Sequence, residues 1–174
     1  MGIVLMEDLL AERQDDDFSN WKFRGERLSK GEIVIFDVDG VLSDASARQH
    51  FLKRRDPDWD GFFNACNQDP LIDAASKILS VIDSKYPIAL MTGRPLSVQE
   101  KTLKWLDDHE IRWDLLIMRN YSDYSAARSF KKFETSRLRS CDLVPVLAFE
   151  DDQRNVEMFR QEKVPCVYLH SGYY

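Results

Sequence analysis

The stretch that decides the fold is IVIFDVDGVLSD, residues 33–44. Four apolar residues run without polar alternation into Asp37, and a second aspartate, Asp39, stands directly before Gly40. An apolar run of this kind is typical of a strand that is buried on both faces, as in a parallel sheet. Residues at positions i and i+2 of an extended segment face the same side. We therefore expect a buried strand whose end presents the carboxylates of Asp37 and Asp39 to one cleft; an exposed turn is the alternative for this pair.

The bulk properties are those of one globular domain. The chain has 174 residues, of which 44% are hydrophobic and 31% are charged, and its net charge is −6. These values suit a single hydrophobic core. The negative charge does not favour a broad nucleic-acid-binding face, although a local basic cleft stays possible. No apolar run approaches the roughly 18 residues of a membrane span, and the N-terminus lacks the basic segment of a signal peptide.

The three cysteines are far apart in the sequence. They show no metal-ligand spacing, and their odd number does not fit a closed disulfide framework. We interpret them as reduced thiols and expect a cytoplasmic protein with no membrane association and no obligate protein partner.

The chain divides into a peripheral arm over residues 1–31 and an α/β domain over residues 32–174. The arm mixes charge and aromatic residues, and is predicted to hold one short helix near residues 6–18. Beyond it, apolar runs and amphipathic segments alternate, which predicts a Rossmann-like parallel sheet with helices on both faces. Further strands are predicted over residues 87–93, 114–119, 144–150 and 165–170, and helices over residues 69–86, 94–110, 126–140 and 153–162. Asp69 is the expected N-cap of the first of these helices, with Pro70 at its first position.

Polar residues follow three of the predicted strands at the same edge of the sheet. In addition to the two aspartates, they are Thr92, Gly93, Arg94, Glu150, Asp151 and Asp152. In open α/β sheets, ligands bind outside the carboxyl ends of the strands. Several carboxylates in one cleft repel one another, and a hard divalent cation such as Mg2+ relieves that repulsion. Hydroxyl, guanidinium and ammonium donors would then hold a phosphoryl group, so the set predicts phosphoryl transfer.

Each of these signals has a structural alternative. Residues 92–94 could form only a strand-to-helix turn, and residues 150–152 could only cap a helix, for which Asp152 is the best candidate. Lys131 and Lys132 could be solvated helix residues. The ordered combination of all the motifs favours a catalytic site.

The motifs resemble, in order, the four motifs of the haloacid dehalogenase superfamily of phosphohydrolases. They are DVDGVLSD (37–44), LMTGRP (90–95), the lysine of RSFKKFE (128–134) and AFEDDQRNVEMFR (148–160). Within that superfamily, LLIMR (115–119) and VEMFR (156–160) resemble the phosphatase domain of polynucleotide kinase/phosphatase. The P-loop pattern of a kinase is absent from the sequence, so we expect no kinase activity from it.

The resemblance implies roles for the aspartates that follow the first strand. It makes Asp37 the nucleophile, which forms a phosphoaspartate. Asp39 becomes the general acid and base, with its backbone carbonyl in the metal shell. Asp37, Asp39, Glu150 and Asp151 together are expected to hold Mg2+.

The resemblance also implies a set of phosphate-binding residues. Thr92 and Gly93 are expected to hold the phosphoryl group, and Arg94 and Arg119 to contact the substrate phosphate or a nucleic acid. Lys131 is expected to balance the charge around the phosphoaspartate, and the adjacent Lys132 is the alternative candidate for this role.

The resemblance further implies a terminal 3'-phosphate of DNA or RNA as the substrate, as in nucleic-acid repair. Residues 46–68 are too few for a folded cap domain, and we expect one or two short helices beside an open cleft. Lys53–Arg55, with Trp59, Phe62 and Phe63, could form a basic and aromatic lip for a nucleotide chain, or be solvated and core residues.

Two alternatives to the polynucleotide substrate stay open. Ser125 and Ala127 stand where nucleic-acid phosphatases of this kind usually carry charged residues, which, with the negative net charge, favours a small-molecule phosphatase such as a 5'-nucleotidase. A non-catalytic binding module on the same fold is the third hypothesis.

Overall fold

Five parallel strands and one antiparallel edge strand form the central sheet of the computed structural model, which describes residues 18–173. The strands are β1 (Trp21–Phe23), β2 (Gly31–Phe36), β3 (Ile88–Pro95), β4 (Leu115–Arg119), β5 (Leu143–Glu150) and β6 (Cys166–Tyr168). Their order across the sheet is β1-β4-β3-β2-β5-β6. Strand β2 pairs in parallel with both β3 and β5, and β1 pairs antiparallel with β4. The predicted α/β fold with a mainly parallel sheet is confirmed.

Helices cover both faces of the sheet. They are α1 (Trp59–Asn64), α2 (Asp73–Val81), α3 (Gln99–Asp108), α4 (Ala127–Ser140) and α5 (Gln153–Gln161). Short 3₁₀ helices occupy Ala45–Phe51, Cys66–Gln68 and Leu96–Val98. Among the described helices, none combines the length and the hydropathy that crossing a bilayer requires. The three cysteines form no disulfide.

Strand β2 is the centre of the core because both of its faces are covered. Val34 and Phe36 belong to the apolar cluster that also includes residues of α2 and α3, whereas Ile33 and Ile35 belong to the cluster that includes residues of α4 and α5. All four side chains are almost fully buried. Burying a side chain of this size contributes roughly 1.5–3 kcal/mol to stability. This two-sided burial explains why the run before Asp37 lacks polar alternation.

Helix α2 begins later than predicted. It starts at Asp73, and its N-cap residue, Ile72, makes no side-chain capping bond. The expected cap, Asp69, lies outside the helix, where its buried carboxylate accepts hydrogen bonds from Arg48. A buried guanidinium is a stronger partner for a carboxylate than an exposed helix end is, which explains the difference.

The short strand β1 lies within a segment for which the sequence indicated an irregular arm. Trp21–Phe23 pair with Leu115–Ile117. A strand of three residues is too short to show the alternation of apolar and polar residues by which strands are predicted. Glu134 of α4 anchors this segment, since its carboxylate accepts hydrogen bonds from Trp21 Nε1 at 2.7 Å and Asn20 Nδ2 at 2.9 Å. The helix predicted near residues 6–18 lies almost wholly outside the described residues, and the division between residues 31 and 32 stays a prediction.

The insertion between β2 and α2 has the expected form. It consists of two 3₁₀ helices and the short helix α1. Phe62 is buried, whereas Trp59 at the start of α1 is exposed. The insertion therefore consists of short helices and is not a folded cap domain.

Replacing Glu134 with alanine is expected to lower the free energy of unfolding by about 3 kcal/mol, because Arg137 would keep a buried charge without its carboxylate partner. Arg137 Nη1 lies 2.9 Å and 3.1 Å from the two Glu134 oxygens. Urea unfolding followed by tryptophan fluorescence measures the change. Glu157→Ala, at an exposed site on α5, is the control and should cost less than about 0.5 kcal/mol. Equal stability of the two variants would contradict the anchoring role of Glu134.

Candidate active site

The carboxyl ends of β2, β3 and β5 meet at one edge of the sheet because β2 lies between the other two strands. Asp37 follows β2, Thr92 lies near the end of β3, and Glu150 ends β5. A cleft of about 690 Å³ opens at this edge. Among the predicted site residues, Asp37, Asp39, Gly93, Arg119, Lys131 and Glu150 line it. The structure thus brings these residues together, as the sequence predicted.

A buried ammonium group links the two central carboxylates. Lys131 Nζ lies 2.8 Å from Asp37 Oδ2 and 2.5 Å from Glu150 Oε2. Burial lowers the pKa of Lys131, but the charges of Asp37 and Glu150 outweigh it and raise that pKa above its usual value, so Lys131 is a cation. Burial and the neighbouring Glu150 raise the pKa of Asp37 well above its usual value, although Lys131 opposes the shift.

The neighbouring lysine does not reach the cleft. Lys132 is 64% exposed and pairs with Glu162 at 3.2 Å on the outer face of α4. Lys131 is therefore the lysine that the structure places beside Asp37.

Three carboxylates form a cluster that fits a divalent cation. Asp37, Glu150 and Asp151 each offer an oxygen, and these oxygens lie within 4.8 Å of one another. Asp151 Oδ2 is buried and has no hydrogen-bond partner among the described residues. Burial and the charge of Asp37 raise the pKa of Asp151 to about 7. A hard cation such as Mg2+ would satisfy the unpaired oxygen and offset the repulsion, so the donor set fits this metal.

Gly40 permits the close approach of Asp151 to the turn after β2. Its φ is +82°, in the left-handed region that favours glycine. A Cβ atom at this position would lie 1.9 Å from Asp151 Oδ2 and 2.5 Å from Asp151 Cγ. Only glycine can therefore occupy this place without moving the carboxylate.

Asp39 lies in a separate cluster of charges. Arg94 donates to Asp39 Oδ1 through Nη2 at 2.6 Å and through Nε at 3.0 Å, and Arg48 donates to the same oxygen. Both arginines are buried, and each also pairs with the buried carboxylate of Asp69. Burial raises the pKa of Asp39, but Arg94 and Arg48 outweigh it and hold that pKa below its usual value. The Asp39 side chain remains 21% exposed and lines the cleft, so it can exchange a proton there.

This arrangement gives Arg94 partners that the sequence did not predict, and its contact with the substrate phosphate stays a prediction. The sequence predicted a contact with the substrate phosphate, yet the guanidinium is fully buried and is bound to Asp39, Ser43 and Thr102. Arg94 therefore positions Asp39. The same contacts place the Asp39 carboxylate apart from the three-carboxylate cluster, and a contribution of its backbone carbonyl to the metal shell stays a prediction.

Arg48 and Asp69 belong to the charge cluster around Asp39, and sequence reasoning did not place them there. Arg48 lies in the 3₁₀ helix Ala45–Phe51, and its guanidinium bridges Asp39 and Asp69. The segment around Arg48 shows neither helical nor strand periodicity, so the sequence did not indicate which way this side chain points. The nearby basic run, Lys53–Arg55, drew attention instead, but these residues are exposed and do not line the cleft.

The remaining predicted residues lie near the cleft. Thr92 is buried, and its Oγ1 accepts a hydrogen bond from the backbone of Arg94 at 3.2 Å. Arg119 Nη1 donates to the carbonyls of Ser125 and Asp123 at 2.5 Å and 3.4 Å, which holds the loop after β4. Substrate contacts of Thr92, Gly93 and Arg119 stay predictions.

Asp152 is a helix cap, as predicted. Its carboxylate accepts a hydrogen bond from Arg154 N at 2.9 Å at the start of α5. It also pairs with the Arg154 guanidinium at 2.8 Å. Asp152 is not part of the three-carboxylate cluster in the described residues.

The chain is similar to known proteins in sequence and in fold. The family model described as the polynucleotide kinase PNKP phosphatase domain matches residues 31–174. A chain of the Pnkp1/Rnl/Hen1 RNA repair complex is 27% identical, with a TM-score of 0.67, over 88% of this chain and 47% of that one. A second structure of the Pnkp1/Rnl/Hen1 complex gives 27% identity and a TM-score of 0.66 over 86% and 49% of the two chains. The present chain thus spans about half the length of those chains.

A more distant structure shares the fold. The class C acid phosphatase from Bacillus anthracis is 16% identical, with a TM-score of 0.59, over 84% of this chain and 69% of that one. A search of curated protein sequences gave no match.

Mg2+ is expected to raise the melting temperature more at about pH 8 than at about pH 5.5, because protons compete with the metal for the cluster. The pKa of Asp151 is about 7 when folded and near 3.8 when unfolded. The folded state therefore binds more protons between these values, and the metal-free protein loses stability as pH rises through that window. Thermal unfolding with Mg2+ and with a chelator measures the shift. An equal shift at both pH values, or an undiminished shift in Asp151→Asn, would count against this metal site.

Gly40→Ala is expected to lower the free energy of unfolding by at least about 2 kcal/mol, because the new Cβ combines backbone strain with a clash against Asp151. Gly25→Ala is the control, since a Cβ there meets no atom within 4 Å. Chemical unfolding of both variants measures the difference. A Gly40→Ala protein as stable as Gly25→Ala would show that Asp151 can retreat without cost.

Proposed function

The chain belongs to the family of polynucleotide kinase PNKP phosphatase domains, and from this premise we propose that it is a Mg2+-dependent phosphomonoesterase that removes a terminal 3'-phosphate from a polynucleotide. The family makes the chain a phosphatase of the haloacid dehalogenase type. The metal, the covalent intermediate and the 3'-phosphate substrate are the proposal. The observation that carries it is the buried Lys131–Asp37 pair at an open cleft, because the pair sets a carboxylate nucleophile beside a fixed cation.

The first half of the reaction transfers the phosphoryl group to the protein. A carboxylate oxygen of Asp37 attacks phosphorus, the bond from phosphorus to the leaving oxygen breaks, and a phosphoaspartate forms. Asp39 donates its proton to the leaving alkoxide. Lys131 stays beside Asp37 and balances the negative charge that gathers around the reacting phosphorus.

The second half of the reaction transfers the phosphoryl group from the protein to water and regenerates Asp37. Asp39, now ionised, takes a proton from a water molecule whose oxygen attacks the phosphoaspartate. The bond between phosphorus and the Asp37 oxygen breaks, inorganic phosphate leaves, and Asp39 is again protonated. A metal held by Asp37, Glu150 and Asp151 would supply positive charge to the phosphoryl oxygens.

The arginine pair around Asp39 suits both of its tasks. Arg48 and Arg94 favour the ionised form, which is the base that the second half requires. A bound phosphate dianion next to Asp39 would raise the affinity of that carboxylate for a proton, as any nearby negative charge does. Asp39 would therefore take up its proton as the substrate binds.

The open cleft supports an extended substrate. The insertion between β2 and α2 forms only short helices, so the end of a strand can enter beside Asp37. Similar chains occur in an RNA repair complex, which supports a nucleic-acid end as the substrate.

Asp37→Asn is expected to reduce phosphate release from a 3'-phosphorylated oligonucleotide by at least about a thousandfold, since the amide is a poor nucleophile. Asp107→Asn, at an exposed site on α3, is the control. Phosphate release with Mg2+ and with a chelator is the measurement, and circular dichroism checks that both variants fold. Full turnover by Asp37→Asn would contradict the mechanism.

A substrate panel tests the rest of the proposal. We expect higher kcat/KM for the 3'-phosphorylated oligonucleotide than for its 5'-phosphorylated counterpart or for nucleoside monophosphates. Preference for 5'-monophosphates would instead favour a 5'-nucleotidase, and no Mg2+-dependent turnover of any substrate would favour a binding module.

A further inference from the structure

Three exposed aromatic side chains border the cleft that holds Asp37. Trp59 is 53% exposed, Tyr121 is 69% exposed and Tyr124 is 91% exposed. All three line the same cleft as Asp37 and Lys131. Large apolar surfaces that gather at one site on a folded protein generally mark a binding surface. The chemistry described above uses none of these three rings.

The two tyrosines stand on an ordered loop. Residues 120–126 connect β4 to α4, and Arg119 donates to the carbonyl oxygens of Ser125 and Asp123. Ser125 N donates to Asp123 Oδ1 at 2.8 Å, which tightens the same loop. The loop backbone is thus held in place while its two tyrosine rings face solvent. Rings presented on a fixed backbone lose little entropy when they bind a flat partner.

Trp59 is presented from the other side of β3. It belongs to the insertion after β2, whereas the tyrosine loop follows β4, and β3 lies between those strands in the sheet. Phe63 stacks near the Trp59 ring at 5.9 Å and 26°, and Phe62 meets it edge-on at 6.0 Å. These two rings support the indole, while about half of it remains exposed. The cleft therefore has aromatic surface on both of its flanking segments.

The charge around the cleft is unfavourable for a long polyanion. More carboxylates than cationic side chains line it, and the whole chain carries a net charge of −6. The exposed basic run Lys53–Arg55 does not contribute to the lining. A strand that tracked along this surface through many phosphates would gain little from counterion release. Beyond the contacts to the terminal phosphate itself, base stacking on aromatic side chains is the further source of affinity, and it needs bases that are unpaired.

We infer that Trp59, Tyr121 and Tyr124 form a stacking platform for the unpaired bases next to the scissile phosphate. This inference rests on the proposed function and specifies its substrate: single-stranded 3'-phosphorylated ends, recognised through bases rather than through the phosphate backbone. It predicts that a single-stranded end is processed faster than the same end in a blunt duplex. It also predicts that KM depends only weakly on salt concentration. The slope of log KM against log salt concentration should be below about 1.5, which is the value expected when about two phosphates of a single strand are neutralised.

The test compares an oligonucleotide with acetyl phosphate, an activated phosphate that has no ring to stack. In the double variant Tyr121→Ala/Tyr124→Ala, the ratio of kcat/KM for the oligonucleotide to that for acetyl phosphate should fall at least about tenfold, in line with the loss of base stacking. Tyr121→Phe/Tyr124→Phe keeps both rings and should restore most of the ratio. Phe133→Ala removes an exposed aromatic side chain from α4, outside the cleft lining, and is the matched control.

Three results would overturn the platform. They are an unchanged ratio in the alanine variant, an equal loss for both substrates, and faster processing of the blunt duplex than of the single strand. Binding of a fluorescent 3'-phosphorylated single strand to Asp37→Asn, measured by anisotropy, keeps the inference testable even if no substrate is turned over. If adding the two alanine substitutions abolishes that binding, the platform is supported even when the catalytic proposal fails. If binding is unchanged by the substitutions, or is absent from Asp37→Asn itself, the platform is overturned.

Discussion

The buried ammonium group of Lys131 is the contact on which the candidate site depends. It lies between carboxylates from the ends of β2 and β5, two neighbouring strands whose parallel arrangement brings Asp37 and Glu150 together. Without a cation from α4, these buried carboxylates would repel each other in a region of low dielectric. Lys131 offsets part of that repulsion, and the excess charge that remains, with the unpaired oxygen of Asp151, is what a divalent cation would neutralise.

A second charge cluster gives Asp39 a different environment from that of Asp37, although only one residue separates them. Arg48 and Arg94 surround Asp39 and lower its pKa, whereas burial and Glu150 raise the pKa of Asp37. Without a metal, these shifts favour the protonated form of Asp37 and the ionised form of Asp39. A cation held by Asp37, Glu150 and Asp151 would lower the pKa of Asp37 and favour its nucleophilic carboxylate, which divides the two chemical roles between the aspartates. Here the division follows from geometry, because Asp37 meets α4 and β5 while Asp39 meets the end of β3 and the 3₁₀ helix after β2.

The sequence predicted the strand ends well because their signals are local. An apolar run that stops at Asp37, with a second aspartate two positions later, specifies both burial and direction. Lys131 and Lys132 could not be separated, since neighbouring helix residues point about 100° apart and either could have faced the sheet. The bond from Arg94 to Asp39 was not predicted, because a long side chain at a strand end can reach outward or turn back. Arg48, which pairs with the same carboxylate, comes from a segment without a helical or strand period. The three residues of β1 were likewise too few to predict.

The stereochemical course at phosphorus tests the central claim most directly, because it requires no accumulation of an intermediate. A thiophosphate monoester made chiral at phosphorus by two oxygen isotopes would be hydrolysed in water that carries the third isotope, and the configuration of the released inorganic thiophosphate determined. Transfer to Asp37 followed by transfer to water involves two in-line displacements, so the account predicts overall retention. Inversion would mean that water attacks the substrate directly, and it would contradict the role assigned to Asp37 and its partner Lys131.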